Sequence, residues 1–296
     1  MIPFKKLSSQ DLSQDYPVFE LGLVGFPLGH SLSPKLHKAA METLSLQGAY
    51  RLYAVPSGDD GAPVMKQLLQ KMRMNQIQGL NITIPHKQNI IAYLDRLTPI
   101  AAAIGAVNTV YKDGQNLVGD NTDMRGFWMD LNRVQGLFME KEGKCLVLGA
   151  GGSARAVAFA LVDAELYVTI AARRVEQAEQ IRNQFIGYRD QISVVQWNNI
   201  SDVIADSTLI VNATPIGMHP HSTVSPWPVG LPFPREAIVY DLVYNPVETR
   251  LIKEAKASGL KAVSGLGMLV EQAALSFQCW TGLSVPRKVM MEAIYG

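Results

Sequence analysis

One apolar segment carries side chains that can do chemistry, the stretch GLNITIPHK at residues 79–87. Because side chains alternate along a strand, Asn81 and Thr83 share one face while the isoleucines share the other. A proline ends the strand, and Lys87 lies just beyond it. A lysine at that point can donate a proton or, when neutral, accept one. The plainer alternative is a half-solvated strand followed by a surface lysine, and this segment alone does not choose between them.

Three further segments place small polar groups at predicted strand ends. The first contains Ser31 and Ser33, the second contains Asn108, and the third contains Asp123. Each alone is compatible with ordinary turn chemistry, and Ser33 before a proline also suits a helix N-cap. Together they place hydroxyl, amide and carboxylate groups at the edge of one sheet, which suits a hydroxylated, uncharged or anionic small molecule.

A glycine motif lies between a predicted strand and a predicted helix, in the sequence CLVLGAGGSARAVAFAL. Its spacing, Gly149-x-Gly151-x-x-Ala154, is typical of dinucleotide-binding folds. Glycines let the backbone approach a pyrophosphate, whose charge then faces the free N–H groups of the helix. A glycine turn without a ligand is the alternative, but the surrounding strand and helix favour nucleotide binding.

Two arginines, Arg173 and Arg174, follow the next predicted strand. An NAD-binding fold usually carries an acid about 20 residues after the glycine motif, and no acid stands there. A guanidinium can bind a 2′-phosphate through paired hydrogen bonds, so the sequence favours NADP over NAD. An exposed basic helix start is the alternative.

The elements that must position these residues alternate between strands and helices. In the first half we predict strands at 19–25, 50–55 and 79–84, with helices at 33–45, 65–74 and 86–96. This order predicts parallel strands joined by helical crossovers. Asp113-Gly114 between strands at 107–111 and 117–119 predicts a hairpin, so the sheet should be mixed with an antiparallel edge.

The pattern restarts after a helix that follows Asp123 and leads to Gly143. We predict strands at 144–148, 167–172, 193–196, 208–212, 239–243 and 261–263, with helices at 152–162 and 175–185. Residues 218–233 predict a long loop, and two closing helices at 268–281 and 286–295 should pack back across both halves. The first 17 residues are expected to form a loosely held extension with no assigned role.

Composition predicts a globular protein, because 48% of the 296 residues are hydrophobic and 18% are charged. The 27 basic residues nearly balance the 26 acidic ones, so nothing predicts attraction to nucleic acid or to an anionic membrane. No segment has the roughly 18 uninterrupted apolar residues of a membrane span, and no signal peptide is recognisable. Cys145 and Cys279 are too few for a disulfide framework or a zinc cluster, which favours a cytoplasmic location and no metal.

Eight motifs in order resemble the shikimate dehydrogenase family: HSLSP, GLNITIPHK, GAVNT, GDNTD, GAGGSARA, NATPIGM, YDLVYNP and GLGMLVEQAA. The resemblance covers nearly the whole chain. It implies NADPH-dependent, reversible reduction of 3-dehydroshikimate to shikimate in aromatic amino-acid biosynthesis. It also implies an α/β fold with an N-terminal mixed α/β substrate domain at 1–123, a C-terminal Rossmann-like NADP-binding domain at 124–265, and helices at 266–296 that return to the first domain.

The resemblance also implies roles for individual residues. Lys87 and Asp123 match the catalytic lysine and its partner carboxylate. The positions that match substrate-binding residues, or lie close to them, are Ser31, Ser33, Asn81, Thr83, Asn108, Tyr244 and Gln272. The cofactor-binding positions are Gly149, Ala150, Gly151, Gly152, Ser153, Ala172, Arg173, Arg174, Thr214, Leu242 and Gly265. Where the family often has Asn-Arg-Thr, this chain has Ala172-Arg173-Arg174, which removes one hydrogen bond to the ribose phosphate and adds a charge.

The expected mechanism gives Lys87 the proton transfer, because the nicotinamide supplies the redox chemistry. Asp123 would stabilise the protonated lysine, whereas desolvation would favour the neutral amine. Two alternatives stay open: a quinate/shikimate dehydrogenase or a paralogue acting on a related cyclic hydroxy acid, and a non-catalytic protein that senses NADP or shikimate. Oligomeric state also stays open, with a homodimer as one alternative.

Overall fold

The computed structural model describes residues 18–135 and 143–295 as two α/β halves, each built on a six-stranded sheet. The extension predicted for the first 17 residues lies outside the described residues, as does Gly296. Among the helices of these ranges, none combines the length and apolar character that a membrane span requires.

The first sheet is mixed, as predicted. Its strands are β1 Phe19–Gly25, β2 Gly48–Ala54, β3 Gly79–Ile82, β4 Arg96–Leu97, β5 Thr109–Asp113 and β6 Asn116–Asp120. They lie in the order β2-β1-β3-β5-β6-β4, and only β5 runs antiparallel to its neighbours. The prediction of an antiparallel edge is therefore wrong, because β6 and β4 pair outside β5 and place the reversed strand inside the sheet.

The helices of the first half differ more from the sequence prediction. They are α1 Ser33–Thr43, α2 Gly61–Arg73 and α3 Pro99–Ile104, with a short 3-10 helix at Asn89–Tyr93. The helix predicted at 86–96 is wrong, because the backbone becomes extended at Leu94. The next residue, Asp95, donates its N–H to the Leu117 carbonyl and accepts the Leu117 N–H on its carboxylate. Pairing with the sheet therefore replaces the second half of the predicted helix.

The second sheet has Rossmann topology, which confirms the predicted fold class. Its strands are β7 Lys144–Leu148, β8 Tyr167–Ala172, β9 Ile192–Gln196, β10 Ser207–Asn212, β11 Ile238–Asp241 and β12 Ala262–Ser264. All are parallel, in the order β12-β11-β10-β7-β8-β9. The strand order reverses between β7 and β10, and ligands of this fold bind at the carboxyl ends of the strands beside such a reversal.

Six helices follow β6 within the described ranges: α4 Thr122–Gln135, α5 Gly152–Asp163, α6 Val175–Gln184, α7 Arg250–Ala257, α8 Leu266–Thr281 and α9 Arg287–Tyr295. Short 3-10 helices lie at Ile186–Gln191 and Trp197–Asp202. Residues 218–233 contain no helix or strand, which confirms the predicted loop.

The two closing helices return to the first half. Val270 and Phe277 of α8 and Met290 of α9 share one buried apolar cluster with Leu21 of β1 and Leu36 of α1. Full burial of side chains of this size contributes about 1.5–3 kcal/mol each. The first sheet is therefore covered on one side by residues that come last in the described chain.

Candidate active site

The central feature of the site is a buried ion pair between Lys87 and Asp123. Lys87 follows β3, and its carbonyl accepts the Val107 N–H at 2.7 Å, which fixes the turn. Asp123 lies in the first turn of α4, where the positive end of the helix dipole favours a carboxylate. Lys87 Nζ lies 2.5 Å from Asp123 Oδ2, and the two side chains are only 11% and 6% exposed. The structure thus joins two residues that are 36 positions apart in the sequence.

Asn108 holds the carboxylate in place. Its Nδ2 donates to Asp123 Oδ1 at 2.8 Å, so both oxygens of Asp123 have partners. The amide is oriented in turn by Thr122, whose N–H donates to Asn108 Oδ1 at 2.8 Å. Asn108 also donates weakly to Gln272 Oε1 at 3.4 Å, which links the pair to α8.

Asn81 is linked to the ion pair through Asn108, and the protein uses all of its side-chain polar atoms. Its Nδ2 donates to the Asn108 carbonyl at 3.1 Å and to Ser276 Oγ at 3.0 Å, and its Oδ1 accepts from Tyr50 Oη at 2.8 Å. A side chain with these contacts orients its neighbours, because no polar atom is left without a partner. Ser276 and Thr109 complete this buried network through a 2.7 Å hydrogen bond.

Sequence reasoning gave no individual role to Tyr50, Thr109 or Ser276, although Thr109 lies in the GAVNT motif. Ser276 could have been found, because it lies four residues after Gln272 and therefore on the same face of a helix. Tyr50 had no local signal, since its role depends on pairing between strands and on stacking of its ring on His37 at 4.2 Å between centroids. Burial lowers the pKa of His37 to about 3, so this ring stays neutral and acts as an apolar support.

Gln272 is brought to the site by close packing of α8 on α4. A Cβ at Gly126 of α4 would lie 2.8 Å from Gln272 N, so only glycine permits this approach. Gln272 Nε2 donates to the Leu269 carbonyl at 2.8 Å, which turns the amide oxygen towards Asn108.

Ser31, Ser33 and Tyr244 form a second polar group around Tyr50. Burial raises the pKa of Tyr244, and a hydrogen bond with Ser31 partly opposes the rise. Burial likewise raises the pKa of Tyr50 well above its usual value, against a hydrogen bond with Ser33. The prediction of Ser33 as an N-cap is wrong, because Leu32 holds the cap position and Ser33 is the first residue of α1. Its hydroxyl is thereby free to face Tyr50.

Thr83 has a fixed backbone and a free hydroxyl. Its N–H donates to the Val24 carbonyl at 2.9 Å, and its carbonyl accepts the His86 N–H at 2.8 Å. The side chain is half-buried, and its hydroxyl has no hydrogen-bond partner in the part of the chain that the structure describes. This position suits a ligand contact.

The glycine loop forms an open cradle at the carboxyl end of β7. Gly149 has φ +107°, which favours glycine, and a Cβ there would lie 2.9 Å from Thr214 Cγ2. A Cβ at Gly151 would meet nothing within 4 Å, so the loop faces open space. No side chain caps α5 and its first turn contains no acid, which leaves the N–H groups of Gly152, Ser153 and Ala154 available to an anion.

Lys87 joins the ion pair to this cradle. A Cβ at Gly152 would lie 3.0 Å from Lys87 Cβ, so the lysine stem rests directly on the glycine loop. Its Nζ also donates to Ser153 Oγ at 3.1 Å. The predicted catalytic lysine therefore lies where the two halves meet.

Arg173 and Arg174 lie at the end of β8, next to the buried Ala172. Both are exposed, and neither guanidinium makes a hydrogen bond or ion pair with a residue in the described ranges. Arg174 is the N-cap residue of α6, where no side-chain hydrogen bond caps the helix. Two unpaired cations beside a helix N-terminus suit a phosphate group.

The remaining cofactor candidates lie at the ends of β10, β11 and β12. Thr214 Oγ1 donates to Asn212 Oδ1 at 2.7 Å, and Leu242 N donates to the Asn212 carbonyl at 2.9 Å. A Cβ at Gly265 would lie 2.4 Å from the Leu242 carbonyl oxygen, so this glycine lets α8 begin against the sheet. Asn212 was missed, although it ends a buried strand.

A second buried carboxylate, Asp241, supports these strand ends. It accepts hydrogen bonds from Asn212 Nδ2, Val243 N and Thr249 Oγ1 at 2.8, 3.0 and 2.6 Å. Burial nevertheless raises the pKa of Asp241 from 3.8 to about 6. Sequence reasoning assigned this residue no role.

Metal ligands do not cluster near the ion pair. Across residues 18–135 and 143–295, no group of three or more histidine, cysteine, aspartate and glutamate side chains could hold an ion. Cys145 and Cys279 are both unpaired.

Three family descriptions match successive parts of the chain. Residues 23–110 match the shikimate dehydrogenase substrate binding domain, 134–220 match shikimate / quinate 5-dehydrogenase, and 265–295 match the shikimate 5′-dehydrogenase C-terminal domain. The shikimate dehydrogenase (NADP(+)) of Methanococcus maripaludis strain C7 is 38% identical over 274 residues, which cover 93% of this chain and 95% of the relative. The chain belongs to the shikimate dehydrogenase family.

Solved structures of family members share the whole fold. Shikimate 5-dehydrogenase from Thermus thermophilus, in complex with NADP(H) and shikimate, is 38% identical with a TM-score of 0.81 over 94% of this chain and 99% of its own. Quinate dehydrogenase from Corynebacterium glutamicum, in complex with NAD, is 31% identical with a TM-score of 0.84 over 94% and 99%. The residues of the present chain also fit a dinucleotide. The open glycine loop at the uncapped start of α5 can bind one phosphate site of the cofactor, and Arg173 and Arg174, which have no partner among the described residues, can bind a second.

Proposed function

We propose that this chain is an NADP-dependent shikimate dehydrogenase that reversibly reduces 3-dehydroshikimate to shikimate in aromatic amino-acid biosynthesis. The observation that carries the proposal is the buried Lys87–Asp123 pair, which touches the glycine loop through Gly152 and Ser153. A proton-transfer group and a dinucleotide cradle in direct contact are what an alcohol dehydrogenase needs.

The second half would hold the cofactor. Residues 149–153 and the start of α5 would bind the pyrophosphate, Ala172 to Arg174 would bind the ribose phosphate, and Thr214, Leu242 and Gly265 would border the nicotinamide end. When bound, the nicotinamide ring donates or accepts a hydride at the substrate carbon. Absence of an acid directly after β8 supports NADP over NAD, and so do the guanidiniums of Arg173 and Arg174, which have no partner among the described residues.

Lys87 would handle the proton. Its ammonium donates to the substrate ketone and protonates the oxygen as the carbonyl is reduced; in the reverse direction the neutral amine accepts the hydroxyl proton. Asp123 holds the ammonium, and Asn108 holds Asp123, so the lysine is oriented before the substrate arrives. Preorientation of this kind lowers the cost of reaching the reactive geometry.

The first half would bind the substrate. The hydroxyl groups of shikimate would contact Thr83 and Gln272, while its carboxylate would bind Ser31, Ser33 and Tyr244. We assign Asn81 and Asn108 orienting roles instead of the direct contacts expected for them, because the protein already uses their polar atoms. Tyr50 orients the serine side of the pocket in the same way.

A direct assay tests this function. Absorbance at the nicotinamide wavelength is followed with shikimate or quinate, each with NADP or NAD. We expect turnover with shikimate and NADP far above the other three combinations. Preference for quinate would identify the second candidate, a quinate/shikimate dehydrogenase like the family member from Corynebacterium glutamicum, and absence of all turnover with retained ligand binding would identify a sensor.

Two further assignments belong to the proposal. The domain division is 1–123 and 124–265, with 266–296 returning to the first domain, and limited proteolysis tests it.

Two unpaired cysteines support a cytoplasmic location, which cell fractionation tests. Light scattering tests the homodimer alternative, since a homodimer would have the molar mass of two chains.

A further inference from the structure

Two histidines, one from each half, are in contact beside the proposed substrate-binding residues Ser31 and Tyr244. His30 lies in the loop between β1 and α1, and His219 lies in the long loop after β10. His219 Nδ1 is 3.1 Å from His30 Nε2, and the ring centroids are 4.4 Å apart at an interplanar angle of 62°. Both side chains are exposed.

The backbone on each side of this pair is anchored. His30 directly precedes Ser31, whose N–H donates to the Leu28 carbonyl at 3.0 Å. His219 donates its own N–H to the carbonyl of Asn245, the residue after Tyr244, at 3.0 Å. Ser31 and Tyr244 are themselves in contact, so the His30–His219 and Ser31–Tyr244 contacts join the two halves side by side.

We propose that His30 and His219 form a binding site for a soft divalent transition-metal ion such as Zn²⁺, which ties the two halves together. Imidazole nitrogens bind such an ion at about 2.0–2.1 Å. Two nitrogens on one ion are then about 2.9 Å apart at a right angle and about 3.4 Å apart at the tetrahedral angle. The observed 3.1 Å lies between these limits.

The tautomers of the two rings decide whether both facing nitrogens can bind an ion. Each ring uses one nitrogen towards the other ring, and its second nitrogen has no hydrogen-bond partner among the described residues. Without an ion, one facing nitrogen donates a hydrogen bond to the other. When the donor ring carries its proton on the second nitrogen instead, both facing nitrogens can bind the ion. Because both side chains are exposed, water can fill the remaining coordination positions of the ion. Mg²⁺ and Ca²⁺ are disfavoured because they require oxygen ligands.

Zinc titration of the ligand-free protein tests the site. Isothermal titration calorimetry with ZnCl₂, without nucleotide or substrate, should show one saturable site per chain. His30→Asn and His219→Asn should each weaken binding by about tenfold or more, since even outer-sphere substitutions cost about 10–100-fold. His221→Asn is the matched control, because His221 is an exposed histidine of the same loop outside the pair. Unchanged affinity in either pair variant, or an equal loss in the control, would overturn the proposal.

A second measurement tests the tie between the halves and rests on the proposed function. Saturating Zn²⁺ should slow shikimate oxidation by wild type and by His221→Asn, reversibly on addition of EDTA, because ligands bound between the two halves should enter and leave more slowly when an ion holds the halves together. The same Zn²⁺ should have a much smaller effect on His30→Asn and His219→Asn, each compared with its own metal-free rate. Zinc binding without shikimate turnover would refute the proposed function but not the zinc site. Turnover that saturating zinc does not slow would refute the proposal that the ion holds the two halves together.

Discussion

The two halves of the molecule prepare for their ligands in opposite ways. In the first half and the α8 face packed on it, the polar side chains form hydrogen bonds mainly with one another and are almost completely buried, as in Asn81, Asn108, Asp123 and Ser276. In the second half, the glycine loop faces open space, and the arginines after β8 have no partner among the described residues. The first half is thus built in advance around a fixed lysine, while the second offers unpaired groups that a phosphate would satisfy.

This difference has an energetic meaning. A satisfied buried network costs little to keep and much to disturb, because each group that loses its partner keeps its desolvation penalty. Unpaired N–H groups and guanidiniums at the surface remain hydrated, so they cost little without a ligand and gain charge-assisted hydrogen bonds with one. Substitutions in the first half should therefore affect folding and catalysis, and substitutions in the second should affect cofactor affinity.

The largest effect is expected at Lys87. Lys87→Ala should lower kcat by about 10²–10⁴-fold with a modest change in the KM for shikimate, because a positioned proton donor is lost. Lys87→Arg is the matched control: it keeps a cation beside Asp123 but cannot release a proton, so it should remain nearly inactive and better folded than the alanine variant. Steady-state kinetics and thermal unfolding of both proteins measure this. An alanine variant with most of its kcat would remove Lys87 from the mechanism.

Arg173 should control the choice of cofactor. Arg173→Asp should weaken NADP binding by about 10–100-fold, because a charged hydrogen bond worth about 1.5–3 kcal/mol is lost. NAD binding should change much less, since NAD has no 2′-phosphate. Arg235→Asp, the same charge change at an exposed arginine elsewhere, is the control. Titration of protein fluorescence with each dinucleotide decides the matter, and equal losses for NADP and NAD would contradict the assignment.

Asn81 should affect stability. Asn81→Ala removes the partner of Tyr50 and Ser276 inside the protein and should lower the free energy of unfolding by about 1–3 kcal/mol. Urea unfolding measures the change. Asn116→Ala, at an exposed asparagine of β6, should be close to neutral. Equal stability of the two variants would show that the network is not held by Asn81.

The smallest effect concerns Asp241 and pH. Because burial raises its folded-state pKa to about 6 from 3.8, the folded protein binds more protons than the unfolded chain between these values. Its contribution to stability is therefore present at pH 4 and is lost as pH rises towards 6, by an amount on the order of 1–2 kcal/mol. Asp241→Asn should flatten this part of the stability profile. A profile with the same slope in both proteins would contradict the assignment.

The sequence predicts what depends on local pattern. Most of the alternating strands and helices, the glycine loop and the Asp113-Gly114 hairpin were correctly placed, because periodicity and turn chemistry act over a few residues. Two missed helices also had local signals. Thr98 caps α3 ahead of Pro99, and Thr249 caps α7, each through its hydroxyl.

The rest depends on contacts between distant residues. The internal position of β5 follows from pairing with β3 and β6, and the lost helix at 86–96 follows from competition with β6. Tyr50 and Ser276 reach Asn81 from 31 and 195 residues away. A pattern within one segment carries no information about such partners, so the network around the lysine was visible only in part.

The return of α8 also constrains how the chain is made. Ser276 and Gln272 leave the ribosome later than the whole nucleotide half, although their partners Asn81 and Asn108 leave before it. During translation, the apolar face of α1 around Leu36 therefore stays exposed to solvent until α8 has been synthesised and can pack on it. A nascent chain arrested before residue 265 should bind chaperones through that face, and release of α8 should end the binding.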